Sequence, residues 1–307
     1  MKLYFAPLEG ITKSIYRNLH AEMFGGCDAY YAPFITPSDN EKIGRKNVKD
    51  ILPEHNASIP LCVQVQTNNA ASFLKFEDKI TPLGYDAVNI NLGCPSATVV
   101  NKGRGAGFLQ DPVALDAFMA AIFEKSRMHI SVKTRLGFWD RNEMDDLMKI
   151  YNRYNLSLLI IHPRTRNDFY NGVPDDAAFE KAYAASVSPI CYNGNIFTKA
   201  DFERVTKRFP NLDSVMLGRG AIANPAIFRE IKGGAPLATE ELIAFSDELL
   251  KRYYKELQSE VFTLQKLKEV WMYMMWNYPE EKKILKSIKK ANHFSDFLAA
   301  IQLLPKL

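Results

Sequence analysis

The chain has 307 residues, room for one large domain and a small one. Hydrophobic residues at 47% and charged residues at 24% are ordinary for a globular chain, and no apolar run approaches the roughly 18 residues of a membrane helix. A net charge of +4 does not by itself point to nucleic acid, and Pro7 and Glu9 come too early for a signal peptide, so a cytoplasmic monomer is expected.

In chain order, short runs rich in Val, Ile and Tyr alternate with helical patterns. The expected strands are 3–6, 28–33, 61–66, 87–91, 130–135, 158–162, 189–193 and 214–218. Between them, 70–80, 112–126, 143–155, 177–185 and 199–209 read as helices. Eight strand–helix repeats over about 230 residues fit a (β/α)8 TIM barrel. A doubly wound sheet competes, but it calls for a glycine-rich turn after the first strand, and Pro7-Leu8-Glu9-Gly10 is not one. Beyond Gly233-Gly234-Ala235-Pro236 the periodicity is helical only. We therefore divide the chain into a barrel, 1–235, and an all-α domain, 236–307. The tail is the basic part: residues 251–307 hold eleven Lys/Arg against six acids, with Trp271, Tyr273, Trp276 and Tyr278 clustered among them. A basic run is commonly no more than a solvated face.

Polar residues or glycines close seven of the eight strands, at the barrel face where active sites lie. Asn193-Gly194-Asn195 and Gly218-Arg219-Gly220 follow strands seven and eight, where barrels often bind phosphate. Glycine lets backbone N–H groups approach the anion, and an arginine can grip it with two donors. These loops leave open whether the phosphate belongs to a flavin nucleotide or to a substrate.

Lys133 and Arg135, two apart on strand five, point to one side. Two cations aimed into a barrel need anions to meet them. A lysine beside a flavin's N1/O2 edge would stabilise its anionic reduced form, and a neighbouring carboxylate is the plainer partner. The four cysteines lack C-x-x-C spacing and histidines at ligand distance, so neither a metal nor a disulfide framework is expected. Cys62 and Cys191 fall inside strands and read as packing. Cys94 lies just past strand four, in a turn fixed by Gly93 and Pro95, where a thiol can donate a proton or attack. The following stretch, 96–109, carries Lys102, Arg104 and three glycines and reads as a mobile basic loop able to close over an anionic substrate.

Asn91-Leu92-Gly93-Cys94-Pro95-Ser96, followed by Gly105-Ala106-Gly107-Phe108-Leu109, resembles the signature of the dihydrouridine synthase family. So do Ala6-Pro7-Leu8-Glu9-Gly10, Val132-Lys133-Thr134-Arg135-Leu136-Gly137, His162-Pro163-Arg164-Thr165-Arg166, Asn193-Gly194-Asn195-Ile196 and Gly218-Arg219-Gly220-Ala221, in family order. Two positions depart from the family's pattern: Pro163 stands where a glycine is usual and Asn195 where an acid is common. The resemblance implies an FMN-dependent, NADPH-driven enzyme that reduces the C5=C6 bond of uridines in tRNA. Hydride would pass from flavin N5 to C6, and Cys94 would protonate C5. Pro7, Leu8, Glu9, Gln64, Lys133 and His162 would hold the flavin head, and Asn193, Gly194, Asn195, Gly218 and Arg219 its phosphate end. Asn91 would orient the pyrimidine. Lys102, Arg104, Arg135, Arg166, Lys266 and Lys268 would meet RNA, the last two on a helical RNA-binding domain. The alternatives are a flavin barrel acting on a free small molecule, such as a dihydropyrimidine or dihydroorotate, and an RNA-binding barrel without flavin.

Overall fold

The computed structural model describes residues 1–37 and 45–307. Eight parallel strands close into a barrel in chain order: β1 (Lys2–Phe5), β2 (Ala29–Tyr31), β3 (Leu61–Val65), β4 (Ala87–Leu92), β5 (His129–Gly137), β6 (Leu158–Thr165), β7 (Ile190–Tyr192) and β8 (Ser214–Leu217). Closure is made by β8 against β1, with Lys2 opposite Ser214. Each expected strand is present within a few residues of its expected limits. Strand alternation divides the core in two. Leu159, Ile161, Val215 and Leu217 face the helices, while Leu158, Ile160, Cys191 and Met216 fill the barrel interior with Ala6 and Tyr31.

Local chemistry sets the helix limits. Asn69 and Asp111 accept backbone N–H bonds at the starts of Ala70–Ile80 and Pro112–Lys125. Thr198 and Asp201 form a capping box on Lys199–Arg208. Helix Glu143–Tyr151 stops short of the expected 155. Asn152 leaves it to bond the Ala185 carbonyl and the Val187 N–H, stitching two turns together.

Helices Thr239–Leu257, Glu260–Met274, Lys282–Lys290 and Phe294–Ile301 make up the C-terminal region. Trp271 is fully buried among them and donates to Ser246 Oγ at 2.8 Å. This region is packed onto the barrel. Phe245 meets Tyr16 and Phe24 edge-on, at 5.4 Å in each case. Arg229 grips Glu241 with two nitrogens, each at 2.8 Å, and donates to the Ala235 carbonyl, crossing the segment where the composition changes.

One buried cation organises the approach to the barrel mouth. Arg17 is fully buried and donates to the Thr12 carbonyl (2.7 Å), to Asp50 (3.1 Å) and to Asn56 (2.9 Å). Thr12 in turn accepts from the Leu8 N–H at 2.8 Å. Arg17→Ala would leave Asp50 buried without its counter-ion, and stability should fall by about 3–5 kcal/mol. Urea denaturation checks this, and an unchanged midpoint would mean that water substitutes for the guanidinium.

Candidate active site

Side-chain amides crossing the barrel interior fix the turn that carries Cys94. Asn89 donates to Ser131 Oγ (2.9 Å), Gln64 donates to Asn89 Oδ1 (2.7 Å), and Asn91 donates to Gln64 Oε1 (2.8 Å). Asn91 Oδ1 then accepts the N–H groups of Gly93 (3.1 Å) and Cys94 (2.9 Å). Asn91 is thus largely occupied as a staple for the thiol-bearing turn, a role the sequence did not suggest. Arg135 holds the same turn from the other side. It is 1% exposed and donates to the carbonyls of Gly93 (2.7 Å), Thr165 (2.8 Å) and Phe169 (2.7 Å). Its fork is taken up by protein carbonyls, which leaves little of it for RNA.

The expected mobile loop over residues 96–109 is instead folded against the thiol turn. Ala106 N–H donates to the Cys94 carbonyl at 3.0 Å, and residues 105–109 are buried. Gly105 has φ +55°, and a Cβ there would lie 2.9 Å from the Cys94 carbonyl oxygen, so its glycine serves close packing. Lys102 is exposed at the edge of this segment, Arg104 buries an unpartnered Nε, and neither lines the central cavity.

Positive charge dominates the mouth. Lys133 is half-buried and has no carboxylate partner among the described residues; burial, then nearby Arg135, lowers its pKa to about 8. Burial, followed by the charges of Arg135, Lys133, Arg164 and Arg219, holds His162 well below the ordinary histidine value. Arg164 donates to His162 Nε2 at 2.9 Å, so the neutral ring carries its proton on Nδ1. Glu9 is the one acid among the described residues lining the cavity, and desolvation raises its carboxyl, opposed by Lys13 and Lys266. Burial also raises the Cys94 thiol, against the pull of the Ser96 backbone and Arg135. The thiol therefore stays protonated at neutral pH.

At the β7 and β8 ends, Asn193 donates to the Met216 carbonyl at 2.7 Å, and Arg219 donates to Asn195 Oδ1 at 3.0 Å. The N–H groups of Gly194, Asn195 and Gly218 meet no acceptor among the described residues. These elements surround a cavity of about 420 Å³ that brings together Pro7, Leu8, Glu9, Gln64, Asn91, Cys94, Lys133, Arg135, His162, Asn193, Gly194, Gly218 and Arg219. Asn195 stands behind Arg219.

Arg166, Lys266 and Lys268 lie outside this cavity lining. Arg166 lies over Phe138 and Phe169. Lys266 holds the Gly10 carbonyl (3.1 Å) and Glu269 (2.7 Å), and Lys268 bonds the Ala291 carbonyl that ends helix Lys282–Lys290. Both lysines thus spend donors on bonds within the protein. The sequence also missed Phe34, Tyr170, Tyr273 and Trp276 in the wall. Tyr170 stands 4.8 Å from the Arg219 guanidinium and 5.4 Å from that of Arg135. It sits in a loop without a motif. Tyr273 and Trp276 belong to the aromatic cluster of the tail, whose position only the fold reveals. Among the described residues no group of three His, Cys, Asp or Glu is placed to hold a metal ion.

The closed parallel barrel with a cationic, thiol-bearing mouth defines a (β/α)8-barrel protein whose cavity carries a surplus of positive charge. Solved structures share this fold: morphinone reductase (TM-score 0.51, 12% identity, over 76% of this chain and 86% of that one) and histamine dehydrogenase from Rhizobium sp. 4-9 (0.58, 11%, 76% and 45%). The model of the dihydrouridine synthase family matches residues 4–302, and the chain belongs to that family. Curated relatives include the tRNA-dihydrouridine(16) synthases of Shigella flexneri (28% identical over 98% of both chains) and Salmonella typhimurium (26%; 98% and 99%). Another is tRNA-dihydrouridine synthase B of Pseudomonas aeruginosa (26%; 75% and 68%). Family membership brings flavin and NAD(P)H chemistry to the chain.

The staple role of Asn91 is open to a direct test. Asn91→Ala removes the acceptor for two N–H groups, should cost about 1–3 kcal/mol, and should speed alkylation of Cys94 by iodoacetamide. An unaltered alkylation rate would mean that Arg135 alone sets the turn.

Proposed function

We propose that the chain is a cytoplasmic enzyme that reduces the C5=C6 bond of a uridine in tRNA to dihydrouridine, using FMN and NADPH. The observation that carries this reading is the juxtaposition, in one cavity, of a protonated thiol in a fixed turn with an ammonium that lacks a carboxylate. Residues 1–235 would form the FMN-binding catalytic domain and 236–307 the tRNA-binding one. The match to synthases named for position 16 over nearly their whole length supports that position as the target.

The cavity suits FMN. Its volume falls within the range of small-molecule sites. Arg219 and the free N–H groups of Gly194, Asn195 and Gly218 would take the phosphate dianion, and Lys133 the pyrimidine edge of the ring, with Pro7, Leu8, Glu9 and Gln64 beside the head. Flavin held there would supply the hydride for uracil C6. Cys94 holds the proton destined for C5, and its raised pKa keeps that proton in place through neutral pH. Neutral His162 can offer only an Nδ1–H hydrogen bond, so it orients a carbonyl and does not serve as a cationic acid. Asn91 keeps the thiol turn in register and retains one amide N–H for the pyrimidine. Tyr273 and Trp276, brought to the mouth by the tail, offer aromatic faces at the rim against which a base could stack.

FMN affinity should depend on pH through Lys133. Its free-protein pKa of about 8 would rise when the ammonium donates to the carbonyl oxygen at the pyrimidine edge. Affinity should therefore be flat below pH 8 and fall up to about ten-fold per unit above it. Fluorescence titrations between pH 7 and 9.5 measure this, and Lys133→Met should flatten the profile. An equally flat wild-type profile would remove Lys133 from the flavin site.

Cys94→Ala separates the two half-reactions. NADPH should reduce the bound flavin at a near-normal rate, because that step needs no thiol. Reoxidation by tRNA should slow by about 10²–10⁴-fold, as for loss of a general acid. Dihydrouridine mapping by primer extension reports the product, and unchanged tRNA reduction by the variant would exclude Cys94 as the donor.

A further inference from the structure

Beside the catalytic cavity lies a second hollow of about 520 Å³, lined by Met272, Trp276, Tyr278, Leu285, Lys282 and Lys289, with Glu281 the one acid among its described residues. Trp276 belongs to both walls. Its ring is 46% exposed and is steadied edge-on by Phe197 at 5.4 Å and Tyr273 at 5.2 Å. Helix Lys282–Lys290 also exposes Lys283, Lys286 and Lys290. Among the described residues none of these five lysines forms an ion pair, unlike Lys266 with Glu269. Unpaired cations beside an exposed indole combine the two elements that bind single-stranded nucleic acid: phosphate attraction and a stacking platform. Protein interfaces, by contrast, are depleted in lysine.

We propose that this groove holds the nucleotide adjoining the target uridine, its base stacked on Trp276 and its phosphates on Lys282 and Lys289. The inference rests on the tRNA reading above. A uridine extruded into the barrel stays covalently joined to both neighbours, so its backbone must leave over the rim of the cavity. Trp276 forms that part of the rim. The groove thus gives the enzyme a contact with the strand next to the reacting base, one that tolerates any base because every base has a stacking face.

The test is a cycle across the interface, using a tRNA transcript that the wild-type enzyme converts and two versions with an abasic residue immediately 5′ or 3′ of the target. With wild type, one abasic version should bind about ten-fold more weakly. Trp276→Ala should lose a similar factor on intact tRNA and nothing further on that abasic RNA, while Trp276→Phe should recover much of the loss. Lys282→Ala with Lys289→Ala should reduce the slope of log affinity against log salt by about 2. Independent, multiplying losses from the abasic site and Trp276→Ala would overturn the assignment, as would unchanged binding in both. Unchanged RNA binding with an altered sedimentation coefficient would give the groove to a second copy of the chain. Failure of the wild type to form dihydrouridine in any tRNA would instead sink the functional reading itself.

Discussion

Unbalanced positive charge at the barrel mouth is the constraint around which the site is arranged. Lys133, Arg135, Arg164 and Arg219 converge there, with Glu9 the single acid among the described residues of the cavity wall. Cations buried in this way are costly unless carbonyls or anions meet them. Arg135 and Arg164 use carbonyls: those of Gly93, Thr165 and Phe169 for the first, those of Asn171 and Gly172 for the second. These bonds fix the thiol turn and the loop after β6 relative to each other. Lys133 and Arg219 keep donor capacity to spare, and that remainder leaves the cavity positively charged. The same field keeps His162 neutral.

Much of the barrel was legible because period-two runs and strand-end polar residues are local signals. Every expected strand lies close to its observed position, and the seven polar strand ends do surround one cavity. The roles within that ring were harder to read. Nothing local distinguishes an asparagine that will bind a base from one that accepts two backbone N–H groups, and Asn91 proved to be occupied with the turn. The glycines at 105 and 107 suggested mobility, yet Gly105 is required because the chain passes against Cys94 and Val99. A glycine read alone says that space is short or that φ is unusual, and only the fold tells which.

The tail is helical as expected, and its surface was harder to read. Lys266-Leu267-Lys268 stood out as a basic pair before an aromatic helix. Lysines three residues from an acid, or near the end of another helix, are readily captured inside the protein, and these were. Among the described residues, the lysines without an ion pair include those of the 282–290 helix, whose buried Ile284 and Ile288 turn the remaining face outward. Periodicity on that short helix was the better guide, since it separates the packed side from the wet one.

Lys266 has a consequence for how such a molecule can change. Its ammonium holds the carbonyl of Gly10, within two residues of the Leu8 and Glu9 that line the cavity. The helical region therefore contributes to the shape of the catalytic mouth through a main-chain atom, a contact indifferent to which side chains the loop carries. A grafted tail from a relative would have to supply a cation at that point or bring along a matching β1 loop. The two parts of the chain are thus coupled, and a change in either would be felt at the cavity they share.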